Sequence, residues 1–248
     1  MRKVSAVLCA VVIGVIGNIT FAQDVKNFSI GAAYISGSSV YSGVSSVSRF
    51  APSISYESET YKISIQDGLA YKVLDNEGVK LSAALSPTFA PYDSKDSAAL
   101  SGMTRKMTFD AKLSGAVDIV RGTTFKVSYS TELTSEHDGS LLDLAISQFF
   151  PIGGQPVFFS LGTKSHDGKL AHFKYGVKAA EANANRAVYA PGATNVTYLS
   201  VNTFYELSRA VSAFANVTAI FLPNEAIRSP IVSKGETVTG IVGLAYRF

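Results

Sequence analysis

The sequence ends in Thr237-Val-Thr-Gly-Ile-Val-Gly-Leu-Ala-Tyr-Arg-Phe248, and this stretch decides the fold. Counting back from Phe248 in steps of two gives an apolar series, whereas the intervening residues are mostly small or polar: the apolar series is Tyr246, Leu244, Val242, Gly240 and Val238. Side chains of a strand alternate between its two faces, so one face suits lipid and the other a lumen. A terminal Phe with an aromatic residue two positions earlier is typical of bacterial outer-membrane barrels. We therefore predict that Phe248, Tyr246 and Leu244 mark barrel closure and assembly; a half-buried strand of a soluble sandwich is the alternative.

The opposite end of the chain has the pattern of a secretory signal peptide. Arg2 and Lys3 precede an apolar run over residues 4–16, and Thr20-Phe-Ala22 places small residues at −3 and −1. We expect cleavage after Ala22, which divides the chain into a signal peptide over 1–22 and an outer-membrane barrel over 23–248. An inner-membrane anchor is the alternative, but the run is shorter than the ~20 residues of a spanning helix.

Removal of the signal peptide changes the composition of the chain. Cys9 is the only cysteine and leaves with it. The 22 basic residues fall by two, to 20 against 19 acidic ones, so the net charge falls from +3 to +1. A nearly neutral chain has no basic field that would attract nucleic acid. No long apolar run follows residue 22, which excludes a helical membrane protein.

Apolar and polar residues alternate along most of the mature chain. The pattern holds over 107–119 and 125–133, and over 210–222 the polar residues Ser212, Asn216 and Thr218 share one face. No segment keeps a helical period instead. Period two over so many segments predicts an all-β protein.

Three features favour a transmembrane antiparallel β-barrel over a sandwich. The segments are often longer than the ~5–6 residues of soluble strands and suit a tilted crossing of the bilayer. The signal peptide is the second feature. The third is that Tyr and Phe lie near segment ends, as interfacial girdles require: Phe28, Tyr34, Phe50, Tyr56, Tyr61, Tyr71, Phe89, Phe149, Phe150, Phe221, Tyr246 and Phe248.

Turn signals divide the chain into about twelve strands, with ten as the alternative. We place them near 27–36, 49–57, 60–73, 78–90, 105–119, 123–134, 140–150, 155–165, 171–178, 196–207, 209–222 and 237–248. Three long breaks remain, at 91–104, 179–195 and 223–236. Both termini of such barrels lie in the periplasm, where turns are short, yet strict alternation places 91–104 on that side. Either this turn is unusually long, or one strand between 60 and 90 and another between 165 and 195 are misassigned.

The C-terminal third carries Ser229, Pro230, Ile231 and Val232, then a short polar stretch and the ending Gly243-Leu-Ala-Tyr-Arg-Phe248. This combination resembles the end of the MipA/OmpV family, the MltA-interacting outer-membrane proteins. Further matches are Tyr41-Ser-Gly43, residues 67–71, Tyr92-Asp93 with residues 100–103, Tyr175-Gly-Val177, and Arg186, Tyr189 and Gly192. The resemblance covers roughly 28–248, and the chain departs from the family pattern in having no Trp.

The resemblance implies an outer-membrane barrel. For the namesake it also implies a scaffold that joins a lytic transglycosylase to a peptidoglycan synthase, and other members are linked to adhesion or to antibiotic uptake and sensing. We therefore expect a non-enzymatic scaffold in the cell outer membrane of a Gram-negative bacterium, in contact with lipid and with the barrel-insertion machinery. It would bind its partners through residues 23–26 and the periplasmic turns, including 91–104. A narrow channel, or an uptake or adhesion protein for small hydrophilic solutes or surfaces, is the alternative, and an outer-membrane hydrolase is the third interpretation.

No residue pattern predicts catalysis. His137 and His166 precede Asp-Gly and are interpreted as turn residues, and His172 as a residue on the polar face of a strand. No cluster of side chains has metal-ligand spacing. Gly153-Gly154 lies between strands rather than before a helix and predicts no nucleotide site. We predict no catalytic residue, cofactor or metal.

The predicted lumen face carries charges of both signs. The candidates are Asp110, Lys112, Asp118, Lys126, Glu132 and Glu206. Ion pairs across the lumen are the simplest interpretation, and a pathway for small solutes is the alternative. A barrel near twelve strands can hold a narrow wet channel or be filled by its own side chains.

Overall fold

The computed structural model describes residues 28–65 and 67–248, which form a closed antiparallel barrel of twelve strands. Each strand pairs with its neighbours along the chain, and the first pairs with the last. The predicted all-β barrel is confirmed, with twelve strands rather than ten. They are β1 (Phe28–Ser38), β2 (Ser46–Glu57), β3 (Tyr61–Ser64), β4 (Gly68–Asn76), β5 (Val79–Thr88), β6 (Thr108–Val120), β7 (Thr123–Glu132), β8 (Ser140–Ile152), β9 (Gln155–His166), β10 (Thr194–Glu206), β11 (Val211–Phe221) and β12 (Glu236–Arg247).

Two helices interrupt the run of strands. Helix α1 (Gly168–Tyr175) follows β9, and helix α2 (Asn224–Ile227) follows β11. Neither these nor any other helix in the part of the chain described is long and apolar enough to cross a membrane. The signal peptide expected over 1–22, its Cys9 and the segment 23–26 lie outside the described residues.

Alternate residues of each strand face lipid and the barrel interior. In β7, Phe125 and Val127 are exposed on the outside, whereas Ser130 is buried on the inside. In β12, Leu244 is exposed and Ile241 is buried. The parity predicted from the sequence is the parity of the structure.

The substitutions Val127→Arg and Ser128→Arg test this assignment of faces. A charge on the lipid face near the bilayer midplane costs about 2–4 kcal/mol and much less on the lumen side. Ser128 lies opposite Asp143 of β8, so an arginine there has a carboxylate within reach. In urea titrations of folding into vesicles, we expect Val127→Arg to lower the free energy of unfolding by about 2–4 kcal/mol. We expect Ser128→Arg to change the free energy of unfolding little. Equal losses in the two variants would refute the assignment.

The two ends of the barrel carry different connections. The turns at the end that holds Phe28 and Phe248 are short, at 58–60, 77–78, 121–122, 153–154 and 207–210. The connections at the opposite end are mostly long, at 39–45, 89–107, 133–139, 167–193 and 222–235. Because outer-membrane barrels keep short turns in the periplasm and long loops outside, we name these the periplasmic end and the loop end. The prediction that 91–104 lies on the periplasmic side is wrong.

One of the two strand errors lies between residues 60 and 73. This segment is not a single strand but the hairpin of β3 and β4, which turns between Ser64 and Gly68. Gly68 ends the turn with a φ of +72°, and a Cβ there would lie 2.0 Å from the carbonyl oxygen of Leu85. Only glycine fits at that position, and Asp67 interrupts the alternation because it belongs to the turn.

The other error is the strand predicted over 171–178, which is helix α1 and the start of the next loop. Asp167 caps the helix, since its Oδ1 accepts a hydrogen bond of 2.8 Å from the Leu170 backbone N–H. Leu170 and Phe173 are buried. His172 and Lys174 therefore lie on a helix rather than on a strand. The extra strand within 60–73 and the missing strand at 171–178 cancel, so the number of strands stays at twelve. Because the extra strand precedes residues 91–104, this segment lies at the loop end.

The aromatic residues predicted for the interfacial girdles are mostly exposed on the barrel wall. Phe50 is the most exposed of them, at 80%. Phe89 is the exception, because it lines the barrel interior.

The ring closes where the two ends of the chain meet. Strands β1 and β12 pair from Ser29–Arg247 to Gly37–Thr239. The Phe248 backbone N–H donates to the Phe28 carbonyl oxygen at 3.1 Å, and the Phe248 ring centroid lies 5.5 Å from that of Phe28. The last residue thus sits on the seam of the barrel.

Candidate functional site

Four long connections at the loop end pack into one layer over the barrel. We call this layer the lid and define it as residues 39–45, 89–107, 167–193 and 222–235. Its interior is apolar, and these side chains are buried in it: Tyr41, Tyr92, Leu100, Met103, Tyr175, Val177, Ala226, Ile231 and Val232. The rings of Tyr41 and Tyr92 lie 4.8 Å apart, and burial raises the pKa of Tyr92 to about 12. Close packing of this kind excludes water, so the lid covers the loop end of the lumen.

Arg105 ties three parts of the lid together. Its guanidinium binds both carboxylate oxygens of Glu181, with Nη1–Oε1 and Nη2–Oε2 distances of 2.6 and 3.1 Å. Its Nε donates to the Phe173 carbonyl oxygen at 2.8 Å, and Nη2 donates to that of Gly176 at 3.2 Å. The Arg105 side chain is 0% exposed. A buried guanidinium with every donor group in use fixes helix α1 and the loop after it to the loop before β6.

The pKa values of this pair keep both groups charged. Burial disfavours the charged guanidinium, but the hydrogen bonds to Glu181 outweigh it, so the pKa of Arg105 lies above its ordinary value. Burial likewise disfavours the Glu181 carboxylate, yet its bonds to Arg105 hold its pKa below the usual range. The ion pair therefore persists at neutral pH.

Arg186 makes a second polar junction in the lid. Its Nη1 donates to the Ala99 carbonyl oxygen at 2.5 Å, and its Nη2 donates to that of Ser101 at 3.0 Å. Its Nε also donates to the Glu181 carbonyl oxygen at 2.9 Å. Arg186 thereby fixes 98–101 against the loop that carries Glu181.

The segment Ser229, Pro230, Ile231 and Val232 closes the lid from the C-terminal side. Ser229 Oγ donates to the Tyr175 carbonyl oxygen at 2.6 Å, and the Ser42 backbone N–H donates to the Ile231 carbonyl oxygen at 2.8 Å. Val232 and Tyr41 form an isolated antiparallel bridge. The residues that carry the family resemblance therefore converge, for the most part, on this lid core.

Beneath the lid the barrel interior holds a cavity of about 190 Å³ that is lined by both apolar and charged side chains. Its charged lining residues are Asp67, Asp110, Lys112, Asp143, Lys164 and Lys174, and the titratable side chains of Tyr41, His166, Tyr175 and Tyr198 also line it. Lys164 Nζ lies 4.0 Å from Asp143 Oδ2, and the Tyr198 hydroxyl donates to Asp143 Oδ1 at 3.0 Å. Three lysines face three carboxylates, so the charged groups of the cavity lining balance.

The six candidate lumen charges fall in different places. Asp110 and Lys112 line the cavity, and Lys126 is half-buried on the same inward face of the wall. Asp118 and Glu206 are exposed near the periplasmic end.

Glu132 is buried at the top of β7, where it organises a loop. Its carboxylate accepts hydrogen bonds from the Thr134 hydroxyl and from four backbone N–H groups between 134 and 138. Glu132 therefore fixes the conformation of the loop over 133–139.

Two of the three histidines make hydrogen bonds near the loop end. His166 Nδ1 lies 3.1 Å from the Thr194 hydroxyl and its Nε2 lies 3.4 Å from Lys174 Nζ. His137 Nδ1 accepts a backbone hydrogen bond from Gly139 at 3.0 Å. Across residues 28–65 and 67–248, no group of three or more His, Cys, Asp or Glu side chains is placed to hold a metal ion.

Sequence reasoning missed the central pair of the lid. In the sequence, Arg105 is only a polar residue that follows the break at 91–104, and Glu181 belongs to no motif. Both lie in long loops without periodic pattern, 76 positions apart, so nothing in a single sequence pairs them. Arg186 and Ser229 were identified through the family resemblance, without their contacts.

Comparisons with known proteins agree with the barrel. A family model described as MltA-interacting protein MipA matches residues 30–248. The Putative outer membrane protein YiaT of Escherichia coli strain K12 is 26% identical over 227 residues, which span 90% of this chain and 92% of the relative. The protein of the same name from Escherichia coli O157:H7 is also 26% identical over the same spans.

Two solved barrels are similar at low sequence identity. The CymD monoaromatic hydrocarbon channel gives a TM-score of 0.40 at 11% identity, covering 90% of this chain and 88% of that one. The NanC porin gives 0.45 at 7% identity, covering 89% and 100%. Similarities this distant indicate no ligand or activity.

Proposed function

The chain belongs to the family of the MltA-interacting protein MipA, and from this premise we propose that it is a non-enzymatic scaffold of the outer membrane that holds a cell-wall enzyme. The name of the family supports a lytic transglycosylase as that enzyme. A peptidoglycan synthase is the second proposed partner.

The observation that carries this proposal is the packed lid. Leu100, Met103 and Ile231 are less than 2% exposed, and Arg105 is held by four partners around it. A covered loop end favours a protein that binds at its opposite end over one that conducts solutes through its lumen. The sides of a barrel face lipid and offer partners no polar surface.

The proposed binding surface is the rim of the periplasmic end. It consists of the five short turns. Residues 23–26, which the sequence analysis also expects to take part in binding, lie outside the described residues. The segment 91–104 is removed from it, because that segment is part of the lid.

The charges on this rim are unevenly distributed. Lys72 Nζ lies 2.7 Å from a carboxylate oxygen of Glu57 and 3.8 Å from one of Asp75. These two ion pairs link the turn before β3 to the turn after β4. Glu59 and Glu77 stand exposed at the tips of those two turns. Arg209 lies in the turn between β10 and β11, on another part of the rim. An acidic sector of this kind suits a partner with a basic patch.

Reversal of the two exposed charges tests the proposal. We expect affinity purification of the wild-type protein from cross-linked membranes to recover a lytic transglycosylase, and Glu59→Lys combined with Glu77→Lys to reduce that recovery at least tenfold. Glu225→Lys combined with Glu236→Lys is the matched control, because it makes the same charge change at the loop end. The proposal fails if no cell-wall enzyme is recovered from the wild type, or if both double variants behave alike.

The cavity beneath the lid, with its charged lining residues, favours a second candidate function, a narrow channel that conducts when the lid moves. Planar-bilayer conductance of the purified protein distinguishes the two. The scaffold predicts little or no conductance, whereas frequent openings of the intact protein would support the channel.

A further inference from the structure

All three histidines of the chain lie at helix α1. His172 belongs to the helix itself. His137, in the loop after β7, packs its ring on Phe173, with the two ring centroids 4.6 Å apart. His166 is the last residue of β9, and its Nε2 lies 3.4 Å from Lys174 Nζ. One helix of eight residues therefore meets every imidazole of the sequence, the side chain that changes its charge between about pH 5 and 8.

His137 is held in its neutral form by the closed lid. Its side chain is 4% exposed, and its Nδ1 accepts a hydrogen bond of 3.0 Å from the Gly139 backbone N–H. The proton of the neutral ring is therefore on Nε2, which has no hydrogen-bond partner among residues 28–65 and 67–248. A second proton has to enter at Nδ1, where it would face the N–H group of Gly139. Protonation of His137 therefore breaks this hydrogen bond.

Gly139 connects this bond to the start of helix α1. A Cβ on Gly139 would lie 2.5 Å from the Leu170 backbone nitrogen and 2.9 Å from Asp167 Oδ1, so the two segments touch directly. Asp167 is the N-cap of the helix. Its Oδ2 also lies 3.1 Å from Ser140 Oγ. A displacement of Gly139 therefore acts on the cap and on the first turn of the helix.

Burial has the largest effect on His137 and lowers its pKa. Lys174 acts in the same direction, whereas Glu132, Asp110 and Asp167 act in the opposite one. Glu132 Oε2 lies 4.0 Å from Nδ1, but the Glu132 carboxylate already accepts five hydrogen bonds from the 133–139 loop. The pKa of His137 therefore lies below its ordinary value, and the ring is neutral in the closed lid at pH 7.

His166 is the second imidazole that the closed lid keeps neutral. It is 3% exposed, with Nδ1 at 3.1 Å from the Thr194 hydroxyl and its ring centroid 6.2 Å from that of Tyr175. Burial and the charge of Lys164 lower the pKa of Lys174 to about 8, so at pH 7 its ammonium group donates and Nε2 of His166 accepts. The charged groups that face His166 are Lys174 and Lys164, both positive. A proton on Nε2 would place two positive charges 3.4 Å apart in a buried site.

We propose that the lid is an acid-sensitive cover: protons taken up by His137 and His166 release helix α1 from the 133–139 loop and from the end of β9, and the lid opens. Arg105 and Ser229 hold the lid through carbonyl groups of this helix, so its release loosens the other loops as well. Because long loops of such barrels lie outside the cell, the external pH acts on the lid. The switch lies at the end opposite to the proposed binding surface and needs no periplasmic partner.

The sign of the pH dependence follows from the neutral rings of the closed lid. In the open lid the imidazoles are hydrated and have their ordinary pKa of about 6.5. Open lids therefore bind more protons below this pH, and each histidine multiplies the ratio of open to closed lids by up to about ten for every further pH unit. The closed lid keeps its full stability above about pH 6.5 and loses it as the pH falls. Exposed carboxylates titrate mostly below about pH 5, so imidazoles dominate the change between pH 7 and pH 5.

A thiol buried in helix α1 measures the opening. Ala171 is 0% exposed, so Ala171→Cys should react with a soluble reagent only when the helix is released. Ala180→Cys lies on the exposed part of the same loop and corrects for the effect of pH on the reaction. Both are made with Cys9→Ser, because Cys9 is the only natural cysteine. A pyridyl disulfide is a suitable reagent, since its leaving group departs readily in acid.

We expect the rate at Ala171→Cys relative to Ala180→Cys to rise at least tenfold from pH 7 to pH 5, while heat-dependent gel mobility shows an intact barrel. Ala226→Cys is the second reporter, because Ala226 is also 0% exposed and lies in the lid core. It should show the same rise if the lid opens as a whole. Relative rates that stay constant at both buried positions overturn the proposal.

Conservative substitutions identify the histidines that carry the response. His137→Asn keeps an oxygen that accepts from Gly139, and His166→Gln keeps one that accepts from Lys174, but neither amide titrates in this range. The two together should leave the lid closed at pH 7 and limit the rise at pH 5 to less than about twofold. Each alone should leave an intermediate rise, because one of the two protons is then still taken up.

His172→Gln is the matched control on the same helix. His172 is half-buried and faces Arg105, Lys178 and Glu181, so it can take up a proton while it stays in contact with water. This variant should keep most of the rise seen in the wild type. A rise that survives the double substitution, or one that disappears in His172→Gln instead, shows that the proposal is wrong.

Discussion

Replacement of Arg105 by alanine is expected to open the lid without unfolding the barrel. The substitution leaves Glu181 without its partner, although the Glu181 side chain is only 10% exposed, and it removes the donors to Phe173 and Gly176. Loss of one member of a buried ion pair costs about 3–5 kcal/mol. Since every ~1.4 kcal/mol is a factor of ten, the population of open lids should rise at least a hundredfold.

Limited proteolysis and planar-bilayer conductance measure this effect. We expect Arg105→Ala to be cleaved within the lid loops and to show conductance that the wild type lacks, with unchanged heat-dependent gel mobility. Lys106→Ala is the matched control, because its side chain is 73% exposed and lies 3.9 Å from Glu136, where an ion pair contributes little. If the lid loops resist proteolysis equally in both variants, the role assigned to Arg105 is wrong.

Deletion of Phe248 is expected to abolish assembly in cells. Phe248 directly follows the seam strand β12 and makes ring contacts with Tyr246 and Phe28. It offers the exposed aromatic side chain that we expect the barrel-insertion machinery to bind. The truncated protein should remain in the periplasm or be degraded, as followed by membrane fractionation and immunoblotting.

Phe150→Ala is the control for this deletion. Phe150 is also an exposed aromatic residue with a ring contact across strands, at 5.6 Å from Phe159, but it lies far from the chain end. We expect the control to reach the outer membrane at near-normal levels. Normal levels of the Phe248 deletion would count against the role of the last residue in assembly.

The barrel could be predicted from the sequence because one physical pattern repeats in almost every strand. Lipid outside and a polar lumen inside impose a period of two, and Leu113, Val127 and Leu244 follow it. The hairpin of β3 and β4 escaped prediction because its turn is so short that the alternation resumes almost at once. Asp67 followed by Gly68 was the available turn signal.

Helix α1 escaped prediction for a different reason. Phe173, Tyr175 and Val177 alternate with polar residues by chance over a stretch too short to separate a strand from a helix. The helix packs inside the lid on more than one face, so its sequence lacks the single apolar stripe of a surface helix. Asp167 is the N-cap of the helix. Because Gly168 follows it, the same two residues also match the pattern of a β-turn.

The lid itself could not be derived from one sequence. Its contacts join segments far apart in the chain, such as Arg105 with Glu181 and Arg186 with Ala99, and loops carry no periodicity. The family resemblance identified several of its residues, but only the fold brings Tyr41, Tyr92 and Ile231 into one core.

The contacts between Ser42 and Ile231, and between Tyr41 and Val232, join the first loop of the chain to the last. Pairing of β12 with β1 holds these two loops side by side. Contacts between distant parts of a chain form late on general grounds of chain entropy. We therefore expect the wall to be completed before its cover closes, so that a closed cover marks a chain whose insertion is finished.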